Sequence, residues 1–333
     1  MLKDIRYSVV VPCYNEEEVI RVTHQRLTEV MQKTRETYEI IYVNDGSRDQ
    51  TAEIINELAQ EDEQIRLINF SRNFGHQAGV TAGLNFAQGQ AIVIIDADLQ
   101  DPPEVILEMI YRWKQGYDVI YGKRLKRQGE TIFKRLSALA FYRIMTALSP
   151  IQIPEDTGDF RLIDRKVCDV MNSLTEKNRY IRGLVSWIGF KQIAVEFNRE
   201  ERFAGETKYP LRKMLKLAFD GITSFSYKPL KIATYLGFGL SGFSFVYLVI
   251  VLFQKFFFGG IVAGWASSVA INLFFHGITL MILGIMGEYI GRIYDESKNR
   301  PIYIVRSTIG YDQNEVSRTD ALPSSSAVPP TRS

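Results

Sequence analysis

Two stretches near the C-terminus, Ile232 to Gln254 and Ala266 to Gly287, contain no Asp, Glu, Lys or Arg. A bilayer's hydrocarbon core is about 30 Å thick and a helix rises about 1.5 Å per residue, so each stretch can cross as a helix. Whatever the other residues fold into must therefore work while tied to a membrane. The alternative, two core helices of a soluble protein, would need both to be covered on every side. The flanks carry an orientation signal. Arg212, Lys213, Lys216, Lys228 and Lys231 precede the first stretch, Arg292, Lys298, Arg300 and Arg306 follow the second, and the connection holds only Lys255. Basic residues gather on the cytoplasmic side. The expectation is an integral protein of a bacterial inner or plasma membrane, a two-helix transmembrane hairpin with a short outward connection and both termini in the cytoplasm. Met1 to Tyr7 is charged and the apolar run Val9 to Val11 is too short for a signal peptide, so insertion is expected to depend on the C-terminal pair.

Length and charge narrow the rest. A chain of 333 residues exceeds the usual single domain. The expected divisions are a large cytoplasmic domain over 1–208, an interfacial amphipathic helix over 209–231, the two membrane helices over 232–291, a cytoplasmic segment over 292–315 and a disordered tail over 316–333. Lys+Arg total 40 against Asp+Glu 38, a net charge of +2 that gives no reason to expect a nucleic-acid partner. Cys13 and Cys168 fit neither a disulfide framework nor a zinc site, and Cys13, after a strand-like run, reads as a buried apolar residue.

Through the first 122 residues β-rich apolar runs alternate with helical patterns. Strands are expected at Tyr7–Val11, Glu39–Val43, Arg66–Phe70, Ala91–Ile95 and Asp118–Tyr121, and helices near Glu17–Lys33, Thr51–Glu61, His76–Ala87 and Pro103–Lys114. Such alternation predicts an α/β fold on a parallel, doubly wound, Rossmann-like sheet. Ligands of such sheets bind at the carboxyl ends of the strands. Beyond that lie two juxtamembrane stretches, Thr131–Ser149 and Pro210–Tyr227, that mix Lys and Arg with large apolar residues as interfacial helices do.

Three expected strand ends are polar. Asp96-Ala97-Asp98 closes the most apolar strand, followed by Leu99-Gln100-Asp101-Pro102-Pro103. Two carboxylates spaced by two at a strand end can address one divalent cation, and oxygen ligands select Mg2+ or Mn2+. Pro12-Cys13-Tyr14-Asn15-Glu16 ends the first strand and Asn44-Asp45-Gly46-Ser47 the second, where an aspartate could accept from a base or a ribose hydroxyl. Asp45-Gly46-Ser47 is equally good turn chemistry. No G-x-G-x-x-G follows an expected strand, and no Walker A loop is present.

Taken in order, Pro12-Cys-Tyr-Asn-Glu, Asn44-Asp-Gly-Ser-x-Asp, Asp96-Ala-Asp-Leu-Gln-Asp-Pro-Pro-Glu and Arg202-Phe-Ala-Gly-Glu-Thr-Lys-Tyr resemble glycosyltransferase family 2. Within it they are similar to the polyisoprenyl-phosphate glycosyltransferases, the group of dolichyl-phosphate mannose synthase and the GtrB-type bacterial glucosyltransferases. The resemblance runs from about Tyr7 to Ile304. It implies a GT-A nucleotide-sugar-binding domain and inverting transfer of a hexose to polyprenyl (undecaprenyl) phosphate at the bilayer. Glucose from UDP-glucose is the first expectation; GDP-mannose, or a non-catalytic membrane scaffold on a transferase fold, is the alternative. By motif, Pro12, Tyr14, Glu16, Asp45 and Asp96 would hold the nucleotide, Arg202 and Lys208 its phosphates, and Asp98 and Gln100 the metal. Arg124 and Arg135 are candidates for the acceptor phosphate. In Gly158-Asp159-Phe160-Arg161-Leu162, which matches a family motif facing the sugar, Asp159 and Arg161 are, with Asp98, the catalytic candidates: Asp159 would orient the acceptor or a sugar hydroxyl, or act as a base, and a structural ion pair between Asp159 and Arg161 is the alternative. Asn272 and His276, four apart, are expected to hydrogen-bond between helices, and Gly287-x-x-x-Gly291 to permit a homo-oligomer.

Overall fold

The computed structural model describes residues 4–125, 154, 157–200, 228–258 and 264–311. Both expected amphipathic helices, the expected disordered tail, and Arg135, Arg202 and Lys208 lie outside the described residues. The chain runs β1 (Tyr7–Cys13), α1 (Ile20–Gln32), β2 (Tyr38–Asn44), α2 (Thr51–Glu61), β3 (Ile65–Phe70), α3 (His76–Phe86), β4 (Ala91–Ile94), α4 (Val105–Lys114) and β5 (Val119–Arg124). It continues through β6 (Thr157–Asp164), α5 (Arg165–Ser173), α6 (Ile181–Ile188) and β7 (Gln192–Phe197). Two long helices, α7 (Lys228–Phe258) and α8 (Trp265–Ser297), precede a last strand, β8 (Val305–Ile309).

The eight strands form one sheet in the order β7-β5-β6-β4-β1-β2-β3-β8. Its middle is parallel, with Val9 of β1 opposite Ile40 of β2 and Val93 of β4. The sheet as a whole is mixed, which corrects the all-parallel expectation. Strand β6 runs antiparallel between β4 and β5, and β8 antiparallel along β3. Neither reversal leaves a local signature, because both strands arrive after long intervening segments.

Alternation along the central strands divides the core in two. Tyr7, Val9 and Val11 pack with Ile40, Tyr42 and Val93 beneath α1, α2 and α4. Val10, Ile41, Val43, Ile92 and Ile94 pack beneath α3, α5 and α6. Residues of both parities are thus covered, and the strands read as continuous apolar runs for that reason. Helix α3 sits unusually close to the sheet. A Cβ on Gly83 would lie 2.1 Å from Val10 Cγ1, and one on Gly79 would lie 3.2 Å from the Pro12 ring. This approach fixes the N-terminus of α3 over the carboxyl ends of β1 and β4.

Helices α7 and α8 are different in kind. Phe238, Phe243 and Phe256 of α7 and Phe274, Leu280 and Ile293 of α8 are all exposed. Within α8, Phe274–Ser297 is the one segment among the described residues that is long and apolar enough to cross a membrane. Asn272 and His276 hydrogen-bond the backbone carbonyls of Ser268 and Asn272, one turn back in their own helix, at 3.0 and 2.7 Å. The end of α8 is tied to the sheet domain: the amide of Lys177 donates to the Glu296 carboxylate at 2.8 Å. Tyr303 then stacks on Phe70 and accepts from Asn85, and the chain enters β8.

Candidate active site

The crevice lies at the carboxyl ends of the central strands. On its β1–β2 side the two loops are stitched to each other. Asn15, with φ +53°, donates its amide to Ser47 Oγ at 3.0 Å and accepts from the Arg48 amide through Oδ1 at 2.9 Å. The amides of Glu16 and Glu17 donate to Thr51 Oγ1 and Asp49 Oδ2. Pro12 is buried, and Tyr14 and Glu16 are partly exposed on the rim. Asp45 is buried at the end of β2, and its two oxygens accept from the amides of Phe74 and Gly75 at 2.6 and 2.9 Å. Burial raises its pKa, and those two amides work against the rise. Gly46 makes the close approach possible: its φ is +66°, and a Cβ there would lie 2.5 Å from the Arg72 carbonyl carbon. Asp45 thus holds the loop between β3 and α3, on which His76 stands.

The β4–β6 side is built from charges. His76 Nε2 lies 3.6 Å from Asp96 Oδ1 and 3.2 Å from Asp159 Oδ2. Arg182, on α6, closes a two-point pair on Asp159, with Nε to Oδ1 at 2.8 Å and Nη2 to Oδ2 at 3.0 Å. Helix α6 is held against α3 by the Ile181 amide, which donates to Gln77 Oε1 at 2.8 Å. Arg161 is buried and turns back on its own strand, donating to the carbonyls of Gly158 and Asp159. Its nearest carboxylate approach to Asp159 is 3.9 Å. The ion partner of Asp159 is therefore chiefly Arg182, with Arg161 the weaker neighbour.

The electrostatics follow from these positions. Burial alone would raise the Asp159 carboxyl, but Arg182 and His76 hold it well below the usual carboxylate range. Burial pulls the His76 imidazolium down, yet Asp96 and Asp159 outweigh it and push its pKa up to about 9. Asp96 is raised to about 6 by burial, with His76 opposing and the neighbouring carboxylates adding to the rise. Burial lowers Arg161 to about 10.

The turn after β4 carries the proposed metal ligands. Asp98 Oδ1 accepts from the Gln100 amide at 3.2 Å, and Leu99 between them adopts φ +55°. A bulky residue held in the left-handed region costs of order 1–3 kcal/mol and marks a turn whose shape is imposed by its surroundings. No cluster of three or more His, Cys, Asp or Glu suited to a metal occurs among the described residues. The donors here are hard oxygens from one short turn. That set fits Mg2+ or Mn2+ taking its remaining ligands from phosphate and water, and does not fit a closed protein cage. The turn is braced from the other side: the Gln100 carbonyl accepts from the Glu200 amide at 3.0 Å, and its side-chain oxygen from Arg199.

Arg124 is committed to Asp101. Its Nη2 lies 3.2 Å from both carboxylate oxygens of Asp101, which is 1 % exposed. A Cβ on Gly158 would lie 2.7 Å from that guanidinium, so the glycine leaves it room. Sequence reasoning did not single out His76, Asp101, Arg182 or Arg199. Signals were available for His76, a polar residue opening a helix just after an expected strand, and for Asp101, which stands in the acidic turn itself. Arg182 and Arg199 are brought in by tertiary structure.

The Glycosyl transferase family 2 model matches residues 8–171. The uncharacterized glycosyltransferase YkcC of Bacillus subtilis (strain 168) is 59% identical over 96% of this chain and 98% of its own length. The uncharacterized glycosyltransferase sll0501 of Synechocystis sp. is 45% identical over 92% of this chain and 97% of its own. The bactoprenol glucosyl transferase of Shigella phage SfV is 41% identical over 91% of this chain and 99% of its own. The chain belongs to glycosyl transferase family 2.

Proposed function

We propose that this family 2 glycosyltransferase moves one hexose, glucose from UDP-glucose, onto a polyprenyl phosphate at the cytoplasmic face of a membrane. What carries the reading is that a polar crevice and two long helices with exposed apolar side chains occur in one chain, and that a bactoprenol glucosyl transferase matches it almost end to end.

In the proposed reaction a phosphate oxygen of the acceptor attacks the anomeric carbon from the face opposite the nucleotide. The bond from that carbon to the diphosphate oxygen breaks, with inversion. The acceptor brings an anionic nucleophile, since a phosphomonoester's second pKa is near 6. No strong base is required, only placement for in-line attack. The Arg182 and His76 contacts favour an orienting role for Asp159 over a base role, because a carboxylate held that far down is a poor proton acceptor. Pro12, Tyr14, Glu16, Asp45 and Asp96 would hold the nucleotide. Asp98 and Gln100 would hold a divalent ion, whose chemistry is to offset charge on the leaving diphosphate. Arg202 and Lys208 on the donor phosphates, and Arg135 on the acceptor, complete the proposal. Arg124 would meet the acceptor phosphate with the guanidinium N–H groups that its Nη2 pairing with Asp101 leaves over.

The sheet itself supports an even number of membrane crossings. Strand β3 precedes the long helices and β8 follows them, yet the two pair directly. A single crossing would place them on opposite sides of the bilayer. The exposed apolar side chains of α7 and α8 support the reading in which both cross.

The test incubates membranes holding the full chain with a panel of nucleotide sugars and undecaprenyl phosphate. A glucolipid formed from UDP-glucose is the expected product. A mannolipid from GDP-mannose would move the reading to the mannose synthase alternative, and no lipid-linked product from any donor would defeat it.

A further inference from the structure

We propose that His76 is a positioning residue of the transfer site, and that it sets donor affinity by clamping Asp96 against Asp159. The inference rests on the donor-binding role proposed for Asp96 above and adds a second residue behind it.

Two carboxylates from different strands, one just beyond β4 and one on β6, lie against a single ring nitrogen at 3.6 and 3.2 Å. Without a cation between them, a buried Asp159 carboxylate and the partly exposed Asp96 carboxylate repel. Arg182 occupies the other side of Asp159 through two hydrogen bonds. Arg182 bonds Asp159 and meets Asp96 only through its charge, whereas the imidazole touches both Asp96 and Asp159. Its position is over-determined from behind. Asp45 grips the amides of the two preceding residues, Phe74 and Gly75. The glycine at 75 takes φ +100° to turn the chain into α3, and Gly79 and Gly83 seat that helix against β1. A side chain mounted this rigidly can hold a partner in place. The two carboxylates keep the ring charged at neutral pH.

The clamp has a consequence that neither carboxylate has alone. Asp159, on the β6 side, is joined to Asp96 by contact through the ring and otherwise acts on it only by charge across space, so a change at Asp159 alters donor binding chiefly while His76 is present. Coupling of this kind is what a double-mutant cycle isolates.

The experiment compares the full-length wild type with His76→Gln, His76→Ala, Asp159→Asn and the double variant His76→Gln/Asp159→Asn in detergent micelles. It measures donor KM with UDP-glucose, acceptor KM with undecaprenyl phosphate, kcat and thermal midpoint, with UDP binding by calorimetry alongside. His76→Gln is expected to raise donor KM about tenfold and to leave acceptor KM within about twofold. Asp159→Asn should weaken UDP binding in the wild-type background and barely change it in the His76→Gln background. Added imidazole should restore part of the donor affinity of His76→Ala. Unchanged donor KM and UDP affinity in His76→Gln would overturn the proposal. So would two single effects that simply multiply in the double variant. Should the wild type form no lipid-linked sugar from any donor, the functional reading fails, and the UDP calorimetry still decides the clamp.

Discussion

The two sides of the crevice hold their polar groups by different means. On the β1–β2 side, Asn15, Ser47, Asp49, Thr51 and Asp45 exchange hydrogen bonds with backbone amides of neighbouring loops. On the β4–β6 side, Asp96, Asp159 and Asp101 meet side-chain cations that come from α3, α6 and β5. An amide is a fixed dipole, so the first side is a rigid socket. A side-chain cation can be withdrawn or titrated, so the second side is responsive. The division suits a transferase that must recognise a nucleotide in one shape and reorganise charge where a bond breaks.

The sharpest test of that contrast is the turn after β4. Asp98→Ala is expected to cut turnover by about 100-fold or more, because the proposed divalent ion would offset several kcal/mol of leaving-group charge. The thermal midpoint should stay near wild type, and full activity would remove Asp98 from the site. Next in size is Arg182→Ala, which leaves a carboxylate with a side-chain exposure of 5% to His76 and the more distant Arg161. Loss of one partner of a buried pair costs about 3–5 kcal/mol, readable in denaturant unfolding, and stability equal to wild type would show the pair to be superficial. On the socket side, Gly46→Ala forces a side chain onto the Arg72 backbone at positive φ. A loss of about 1–3 kcal/mol is expected, with donor KM rising because the Asp45 loop shifts. Thr51→Val removes one acceptor for the Glu16 amide and should cost about 1 kcal/mol.

The effect at His76 carries a sign. The His76 pKa in the folded chain, about 9, lies above the ordinary imidazole value. Its contribution to stability is full below about pH 6.5 and is lost as pH rises through about 9. The gap in thermal midpoint between wild type and His76→Gln should therefore be widest near pH 6 and close toward pH 10. A gap that widens with pH would mean that His76 is held neutral.

How much of this could be read from the residues divides along the same line. The apolar run Ala91 to Ile95 and the acidic turn after it are local in sequence, so strand β4 and the position of Asp98 were legible. Helix α2 matches the expected Thr51–Glu61. Helix α1 starts at Ile20, three residues inside the expected start, because Glu16 and Glu17 are taken up by the interloop bonds. Cys13 is buried as expected. Strands β6, β7 and β8 were not legible, since their neighbours are supplied by parts of the chain far away in sequence. Arg182 was missed for the same reason. It stands 23 residues from Asp159, on a short helix whose placement depends on Gln77. Arg161, two residues from Asp159, looked the better partner because the spacing could be seen, yet its guanidinium is used up by carbonyls of its own strand.

The pairing of β8 with β3 also sets an order in time. Synthesis runs from the N-terminus, so β3 is made long before β8, and the two long helices are made between them. Until β8 leaves the ribosome, the β3 edge offers unpaired N–H and C=O groups to any passing strand. Closure of the catalytic sheet is thereby delayed until both helices exist. A chain cut short before Val305 would keep an open, sticky edge and is a natural target for quality control, whereas a full-length chain seals that edge with its own last strand.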